Sequence, residues 1–387
     1  MSILGFRANF SAFFEKNLRQ TIDSIVTDSP SFLVAAGKHV FFVILLGVAA
    51  SCAGIITDVP AQVTIMTFNV ENLFDNKDDP GKNDETYLPI AAKQTDDHVS
   101  GCAGIEVDRW RDQCLYWDWN DEIVDRKLTV IAKTILQFNG GRGPDILALE
   151  EVENLSILER LRTGYLQAAG YRPAVLIEGK DSRGIDVAFL SRFETVGSPR
   201  LHQIPFSGFP GERLADTRGI LEATFRLPGG ERLTGYAVHF PAPYHPTEMR
   251  EQAYEFLNAL REKLPPGRLA FAAGDFNTTS AEIAKRDMLG RFVEPQWVVA
   301  HELGCGGCPG THYYSRDDSW SFLDMILWSR PAQSGAETTW SPVPDSVRLV
   351  NGTPEQVTDD GTPARFQLPD GEGVSDHWPL AVTIERN

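Results

Sequence analysis

Short apolar runs set the rhythm of the chain from about residue 61 onward. Val63 to Val70 is almost unbroken in apolar residues and reads as a strand buried on both faces, ending in a polar turn. Asp145 to Leu149, Ile185 to Ser191, Ile220 to Phe225, Leu233 to Phe240, Leu269 to Ala273, Phe322 to Trp328 and Pro379 to Ile384 repeat the pattern. Between them the period lengthens. Leu128, Ile131 and Ile135 make a helical stripe over Lys127 to Phe138, and Leu155 to Arg162 predicts a second helix stopped near Gly164. Thr247 is placed to cap a third, with Ala253, Phe256, Leu257 and Leu260 on its apolar side. Strands and helices alternate, yet several successive strands have no helix between them. That mixture predicts an α/β sandwich of mixed sheets and not a purely doubly wound fold. Stretches rich in Pro and Gly at 78–84, 205–212 and 361–373 read as surface loops, and no linker divides 61–387 into two domains.

The strands share a second feature: polar residues gather at their ends. Asn69, Glu71 and Asn72 follow the first apolar run, and Glu150, Glu151 and Glu153 the second. His239 follows Ala-Val, Asp275 and Asn277 lie in Gly-Asp-Phe-Asn, Asp324 in Ser-Phe-Leu-Asp, and Asp376 and His377 just before the last run. Open α/β architectures put their sites at such edges, where loops converge on rigid strands. These residue types suit phosphoryl chemistry. Carboxylates hold hard cations such as Mg²⁺. Asn and His donate to phosphoryl oxygens, an attacking water needs a base, and a leaving oxygen needs an acid. Singly, each motif has an ordinary explanation. Asp-Phe-Asn makes an Asx turn, Glu-Glu-Val-Glu-Asn opens a helix, and a His after Ala-Val is a half-buried ring. Their occurrence together, in this order, favours a site.

Thr-Phe-Asn-Val-Glu-Asn-Leu-Phe-Asp (67–75), Gly-Asp-Phe-Asn (274–277) and Ser-Asp-His-Trp-Pro (375–379) resemble the endonuclease/exonuclease/phosphatase superfamily, and the resemblance spans nearly all of 61–387. The acidic stretch 78–85 and Arg183-Gly-Ile-Asp186 look like a bacterial, often exported, nuclease-like branch. The resemblance implies a four-layer sandwich of two mixed β-sheets flanked by helices, and a phosphoester hydrolase using Mg²⁺ or Mn²⁺. It implies Glu151 as the principal metal ligand, helped by Asn69 and Asp376. His377 would contact phosphate or activate water, oriented by Asp324. His239 would protonate the leaving oxygen, Asp275 would position or deprotonate water, and Asn277 would hydrogen-bond a phosphoryl oxygen. Arg183, Asp186 and Arg218 are expected as phosphate contacts or as support behind them; ordinary strand-end ion pairs would look the same. The family has Gln-Glu where this chain has Glu150-Glu151, so the extra acid is expected to alter metal affinity.

The formal charge of -17 over 387 residues argues against a nucleic-acid packaging role, because tight non-specific binding is driven mostly by Lys and Arg on phosphates. It leaves room for a hydrolase that binds and releases. Near the start, Val40 to Ile56 carries no charge and follows Lys38, the pattern of a secretory signal. Ala49-Ala50-Ser51-Cys52 resembles a bacterial lipobox with Ala in place of the usual Leu, so Cys52 is expected to carry lipid. Plain cleavage or an uncleaved anchor are the alternatives. Residues 1–52 are thus read as an export segment, with the product periplasmic, secreted or held to a membrane through lipid; a misplaced start codon would explain the mixed residues 1–37. The remaining cysteines pair evenly, Cys102 with Cys114 and Cys305 with Cys308. A redox role or half a zinc site is the alternative for Cys-Gly-Gly-Cys.

Three substrate readings follow. The first is an exported nuclease on DNA or RNA, with Trp110, Tyr116, Trp117 and Trp119 as a stacking surface or, more plainly, as packing for a disulfide-tied insertion. The second is a phosphoesterase for inositol phosphates, sphingolipid head groups or nucleotides, with 95–120 and 301–318 closing a pocket. The third is an inactive surface module, disfavoured because Glu151, His239, Asp275, Asn277, Asp324, Asp376 and His377 are all present. Nothing calls for an obligate protein partner.

Overall fold

The structure, a computed structural model, describes residues 61–331 and 339–387. The export segment and Cys52 lie outside the described residues. The strands in chain order are β1 (Gln62–Leu73), β2 (Ile146–Val152), β3 (Val175–Leu176), β4 (Asp186–Ser191), β5 (Arg200–His202), β6 (Ile220–Arg226), β7 (Arg232–His239) and β8 (Leu269–Asp275). They continue with β9 (Trp297–Val299), β10 (His312–Tyr314), β11 (Ser319–Ser321), β12 (Asp324–Ser329), β13 (Trp340–Pro342), β14 (Arg348–Leu349) and β15 (Leu380–Arg386). One sheet runs β13-β15-β1-β2-β4-β3 with β14 on β15; the other runs β5-β6-β7-β8-β12-β9. Both are mixed: β1 pairs β2 in parallel and β7 pairs β8 in parallel, while β1 pairs β15 and β8 pairs β12 antiparallel.

The side-chain period of two sorts the strands into layers. Val63 and Ile65 of β1, and Ile146 and Ala148 of β2, meet Ala237, Phe271, Ala273 and Ile326 of the second sheet in a core between the sheets. Their neighbours Met66, Phe68, Leu147 and Leu149 face outward onto Leu128, Ile131 and Ile135 of the Asp121–Leu136 helix. On the far side Val238, Ala272 and Leu327 pack against Ala253, Tyr254 and Leu257 of the Thr247–Glu262 helix. The result is helix, sheet, sheet, helix. Because both faces of each central strand are covered, the strands read as continuous apolar runs in the sequence.

Several local expectations change. Thr247 is the first helical residue and does not cap the helix; its hydroxyl donates to Glu282 at 2.6 Å. Gly164 does not stop its helix, which runs on through a wide turn over Leu161–Tyr165. The 78–84 stretch is only partly surface: Asp84 is buried. Small elements escaped the apolar pattern, among them the helices Asp96–Ala103 and Asp108–Tyr116, which the Cys102–Cys114 disulfide ties together with Cα atoms 5.7 Å apart. The Cys305–Cys308 disulfide also forms.

Candidate active site

The inter-sheet core ends in charge. Following the inward phase past the apolar residues, β1 reaches Asn69, β2 Glu150, β7 His239, β8 Asp275, and β12 begins at Asp324. His239, Asp275 and Asp324 are direct register partners across three adjacent strands, and Asn69 is register partner to Glu150 on the facing sheet. One alternation rule thus places apolar residues in the core and polar ones at its open end.

Backbone irregularities then re-aim the next residues. The β1–β2 register shifts between Asn69 and Leu73, and the β2–β4 register shifts between Glu150 and Val152. Glu71, Asn72, Glu151 and Asn277 all take positive φ, from 50° to 63°. That region is unfavourable for non-glycine residues, and its clustering here marks a site held by its surroundings. The consequence for the acid pair is opposite orientations. Glu150 stays buried, accepting from the Thr67 hydroxyl at 3.2 Å, while Glu151 turns into a cavity. Burial, with Asp324 and Asp275 nearby, pushes Glu150 well above the usual carboxylate range, so it sits as a neutral acid in the family's Gln place.

Gly274 is needed one position before Asp275. A Cβ there would lie 2.0 Å from the Val238 carbonyl oxygen of the adjacent strand. Asp275 is gripped by Asn277, whose backbone N–H donates to Oδ1 at 2.8 Å and whose side-chain amide donates to Oδ2 at 3.1 Å. The amide's other hydrogen goes to the Phe240 carbonyl at 3.1 Å. With both amide hydrogens engaged, Asn277 positions Asp275; it is not the free phosphoryl donor expected. Burial pushes Asp275 up to about 7 against the pull of His377.

The two histidines differ. His377 bonds Asp324 through Nδ1 at 2.7 Å and lines the cavity. Burial alone would lower it, but Asp324, Asp376 and Asp275 hold it well above the usual imidazole value, so it is charged. Its segment is fastened by Ser375, whose hydroxyl donates to the Asn69 carbonyl at 2.7 Å and accepts from His377 N–H at 3.0 Å. His239 is buried beneath the cavity, with Nε2 3.5 Å from Asp275 and 3.9 Å from Glu151. Burial, then Arg218 and Arg183, push it well below the usual value, which favours the neutral ring.

Glu151 and Asp376 both line the cavity, and oxygen-only carboxylate donors fit a hard divalent cation. Asn69 departs from the expected ligand role. Its side-chain oxygen accepts from Glu71 N–H at 3.0 Å, and its amide donates to Glu151 at 3.3 Å and to Asp275 at 3.2 Å. In this arrangement it orients the carboxylates, with one lone pair of its oxygen taken by the Glu71 N–H. Of Arg183, Asp186 and Arg218 only Arg183 lines the cavity. Arg218 is buried on Asp181 (3.1 Å) and the Phe240 carbonyl (3.1 Å), and Asp186 accepts from Gly179 N–H at 2.9 Å.

The cavity encloses about 750 Å³. One wall is the disulfide-tied insertion, with Arg109, Trp110 and Trp117; another is Arg365 to Leu368, from the stretch read as a plain surface loop. The aromatic cluster divides. Trp110, 59% exposed, and Trp117 line the cavity, buried Trp119 also lines it with its ring edge-on to Tyr87, and exposed Tyr116 does not. No residue of 301–318 lines this cavity, although His312 lies with its ring 4.9 Å from that of His377. Sequence reasoning gave no role to His312, Ser375, Arg365 or Glu71. Glu71 accepts from Arg365 and from the N–H groups of Phe366 and Asp376, joining the loop to β1. Glu71 was visible in the first motif and Ser375 in the last; His312 and Arg365 had no signal of their own.

A model of the Endonuclease/Exonuclease/phosphatase family matches residues 107–377. Among solved structures the chain is similar to the endonuclease/exonuclease/phosphatase from Beutenbergia cavernae DSM 12333, at 15% identity over 84% of this chain and 72% of that one, with a TM-score of 0.50. It is similar to the one from Bacteroides vulgatus at 15% identity over 84% and 100%, with a TM-score of 0.50. D. rerio TDP2 complexed with single strand DNA product follows at 15% identity over 84% and 98%, with a TM-score of 0.49. No curated protein matches the chain. At such identities the solved structures speak for the fold alone, and the family match, which covers most of the chain, speaks for descent. The chain belongs to the endonuclease/exonuclease/phosphatase family, whose fold is that of divalent-metal-dependent phosphoester hydrolases.

Proposed function

We propose that this protein is an exported phosphodiesterase acting on DNA or RNA, with one nucleobase seated against Trp110 and Trp117 while the adjoining phosphate meets the carboxylate end of the cavity. The observation that carries this reading is the shared wall. Exposed and half-buried indoles, with Arg109, Arg183 and Arg365, line the same cavity as Glu151, Asp376 and His377. Flat rings next to guanidinium groups suit a base beside a phosphate. The three arginines also supply local positive charge on a chain of net charge -17. Export is supported by the apolar run before Cys52 and by the two disulfides.

A divalent cation, Mg²⁺ or Mn²⁺, held by Glu151 and Asp376 would polarise the phosphoryl oxygen and its bound water. Asp275, poised near neutrality, accepts the proton of the attacking water. His377 donates from Nε2 as a cation to the phosphoryl oxygens as charge builds, with Asp324 holding ring and charge in place, and the departing oxygen takes its proton from solvent. Asn69, Asn277 and His239 keep the carboxylates in register.

A second reading rests on the cavity's size. About 750 Å³ suits a single nucleotide or another small phosphoester better than a duplex. The test is a panel of linear and circular DNA, RNA, an aryl phosphodiester, an aryl phosphomonoester and a phospholipid, with Mg²⁺ or Mn²⁺ and an EDTA control. EDTA-sensitive loss of polymer, abolished by His377→Ala, supports the nuclease. Turnover of small or lipid phosphoesters only would overturn it in favour of the second reading.

A further inference from the structure

Away from the cavity floor, three carboxylates converge with no cationic partner. Asp79 and Asp84 come from the segment Asp-Asp-Pro-Gly-Lys-Asn-Asp after β1, and Glu153 from the turn after β2. Pro80 and Gly81 fold the segment back on itself: the Lys82 N–H donates to the Asp79 carbonyl at 3.1 Å, and the Asp79 N–H donates to Asp84 Oδ2 at 2.9 Å. Glu153 is brought in by the Asp75 N–H, which donates to its Oε2 at 2.6 Å. One oxygen from each of the three side chains lies within 4.8 Å of the other two. Asp84 and Glu153 are each 1% exposed, and the second oxygen of each, Asp84 Oδ1 and Glu153 Oε1, is buried with no hydrogen-bond partner.

Two such unpartnered buried oxygens in one acidic cluster are costly unless something positive completes them. No Lys or Arg among the described residues forms an ion pair with Asp79, Asp84 or Glu153; Lys77 reaches only Asp75, and Lys82 donates to the Asp181 carbonyl. Burial pushes Asp84 up to about 6, the response of a carboxylate with too little positive charge around it. Donors on one Ca²⁺ ion, at bond lengths of about 2.3–2.6 Å, can stand no more than roughly 5.2 Å apart, and the three carboxylates fall within that reach. Mg²⁺ prefers to keep several waters in a strict octahedron, a poorer match to a buried all-carboxylate cluster.

We propose that Asp79, Asp84 and Glu153 form a second, structural cation site of the Ca²⁺ class, separate from the Glu151 and Asp376 site. Its ion ties the segment after β1 to the end of β2. The same segment runs on to Asn83, Thr86 and Tyr87, which line the cavity, and Glu153 lies two residues beyond Glu151, so the ion braces one cavity wall. The inference is independent of which phosphoester is cleaved.

The test uses the full chain carrying Glu151→Gln, which weakens the catalytic metal site. Ca²⁺ binding is followed by calorimetry and by the shift in Tm, and Tb³⁺ luminescence excited through the aromatic residues serves as a second probe. The expected result is one Ca²⁺ per chain and a Tm raised by several degrees, both lost when Asp84→Asn is added. Should that double variant fail to fold, Asp79→Asn, at the cluster's half-buried member, decides: Ca²⁺ affinity should fall at least 10-fold. Unchanged stoichiometry and affinity in the Asp79 and Asp84 variants, or no Ca²⁺ bound by the Glu151→Gln chain, would overturn the site and leave the cluster as carboxyl groups that keep their protons.

Discussion

At the scale of single residues, the site works by environment more than by residue type. Two histidines at one site are pushed in opposite directions: burial, with Arg218 and Arg183 nearby, lowers His239, while the bond to Asp324 raises His377 against its burial. Replacing Asp324 by Asn should therefore lower the His377 pKa and move the alkaline limb of the rate–pH profile to lower pH. It should also cost kcat on the order of 10²–10⁴-fold. An unmoved alkaline limb would mean that His377 does not act as a cation. A neutral His239 is a poor acid, so His239→Ala should slow substrates with good and with poor leaving groups by similar factors. A much larger loss on the poor one would restore it as the acid. Glu150 already behaves as its amide would, and Glu150→Gln should leave Tm and the Mg²⁺ dependence of activity nearly unchanged.

At the scale of elements, two strand ends and one insertion decide geometry. Gly274 lets β8 pass the Val238 carbonyl of β7, so Gly274→Ala should cost at least about 3 kcal/mol by denaturant unfolding, since the obstacle is backbone and cannot yield. Gly267 provides the control. Its φ is 76° and nothing lies within 4 Å of an added Cβ, so Ala there should cost only about 1–2 kcal/mol. The disulfide-tied insertion matters for substrate, not for the chemical step. Trp110→Ala should raise KM for nucleotide substrates by roughly 5- to 150-fold, the loss of one stacked base. KM for a ringless phosphodiester should stay put; an equal rise for both would show that the indole merely supports the wall.

At the scale of the whole molecule, charge and buried imidazoles set the response to solution conditions. Only three arginines and no lysine line the cavity, so the slope of log affinity against log salt for a single strand should be no steeper than about -2. The contribution of one buried imidazole to stability should weaken in mild acid. Burial holds His301, stacked on Phe322, down at about 4 against its ordinary 6.5. The unfolded chain takes up that proton as pH falls through 6.5, and the folded chain does so only near 4. The group's contribution is thus complete above that window and declines across it, by up to about 3 kcal/mol. His301→Phe should flatten this part of the stability–pH curve, and an unchanged curve would exclude His301 as a source.

How much of this was legible before folding follows from the range of each signal. Strand cores were readable because both faces are covered, so Val63 to Val70 or Leu269 to Ala273 needed no knowledge of what lies across from them. The polar strand ends were readable for the same reason: Asn69, His239, Asp275 and Asp324 interrupt apolar runs in phase with them, and that is a local property of the chain. What tertiary structure alone decided is direction, charge and company. Glu150 and Glu151 are adjacent acids until a bulge and a left-handed turn send one into the core and the other into the cavity. Asn277 looked free to meet a phosphate until Phe240 and Asp275 took both its amide hydrogens. His312 reached His377, and Asp79 and Asp84 reached Glu153, only through contacts between segments 65 to 75 residues apart in the chain or joined by turns that no periodicity marks. Periodicity reports what each residue faces, and only the packed fold says which residue faces it back.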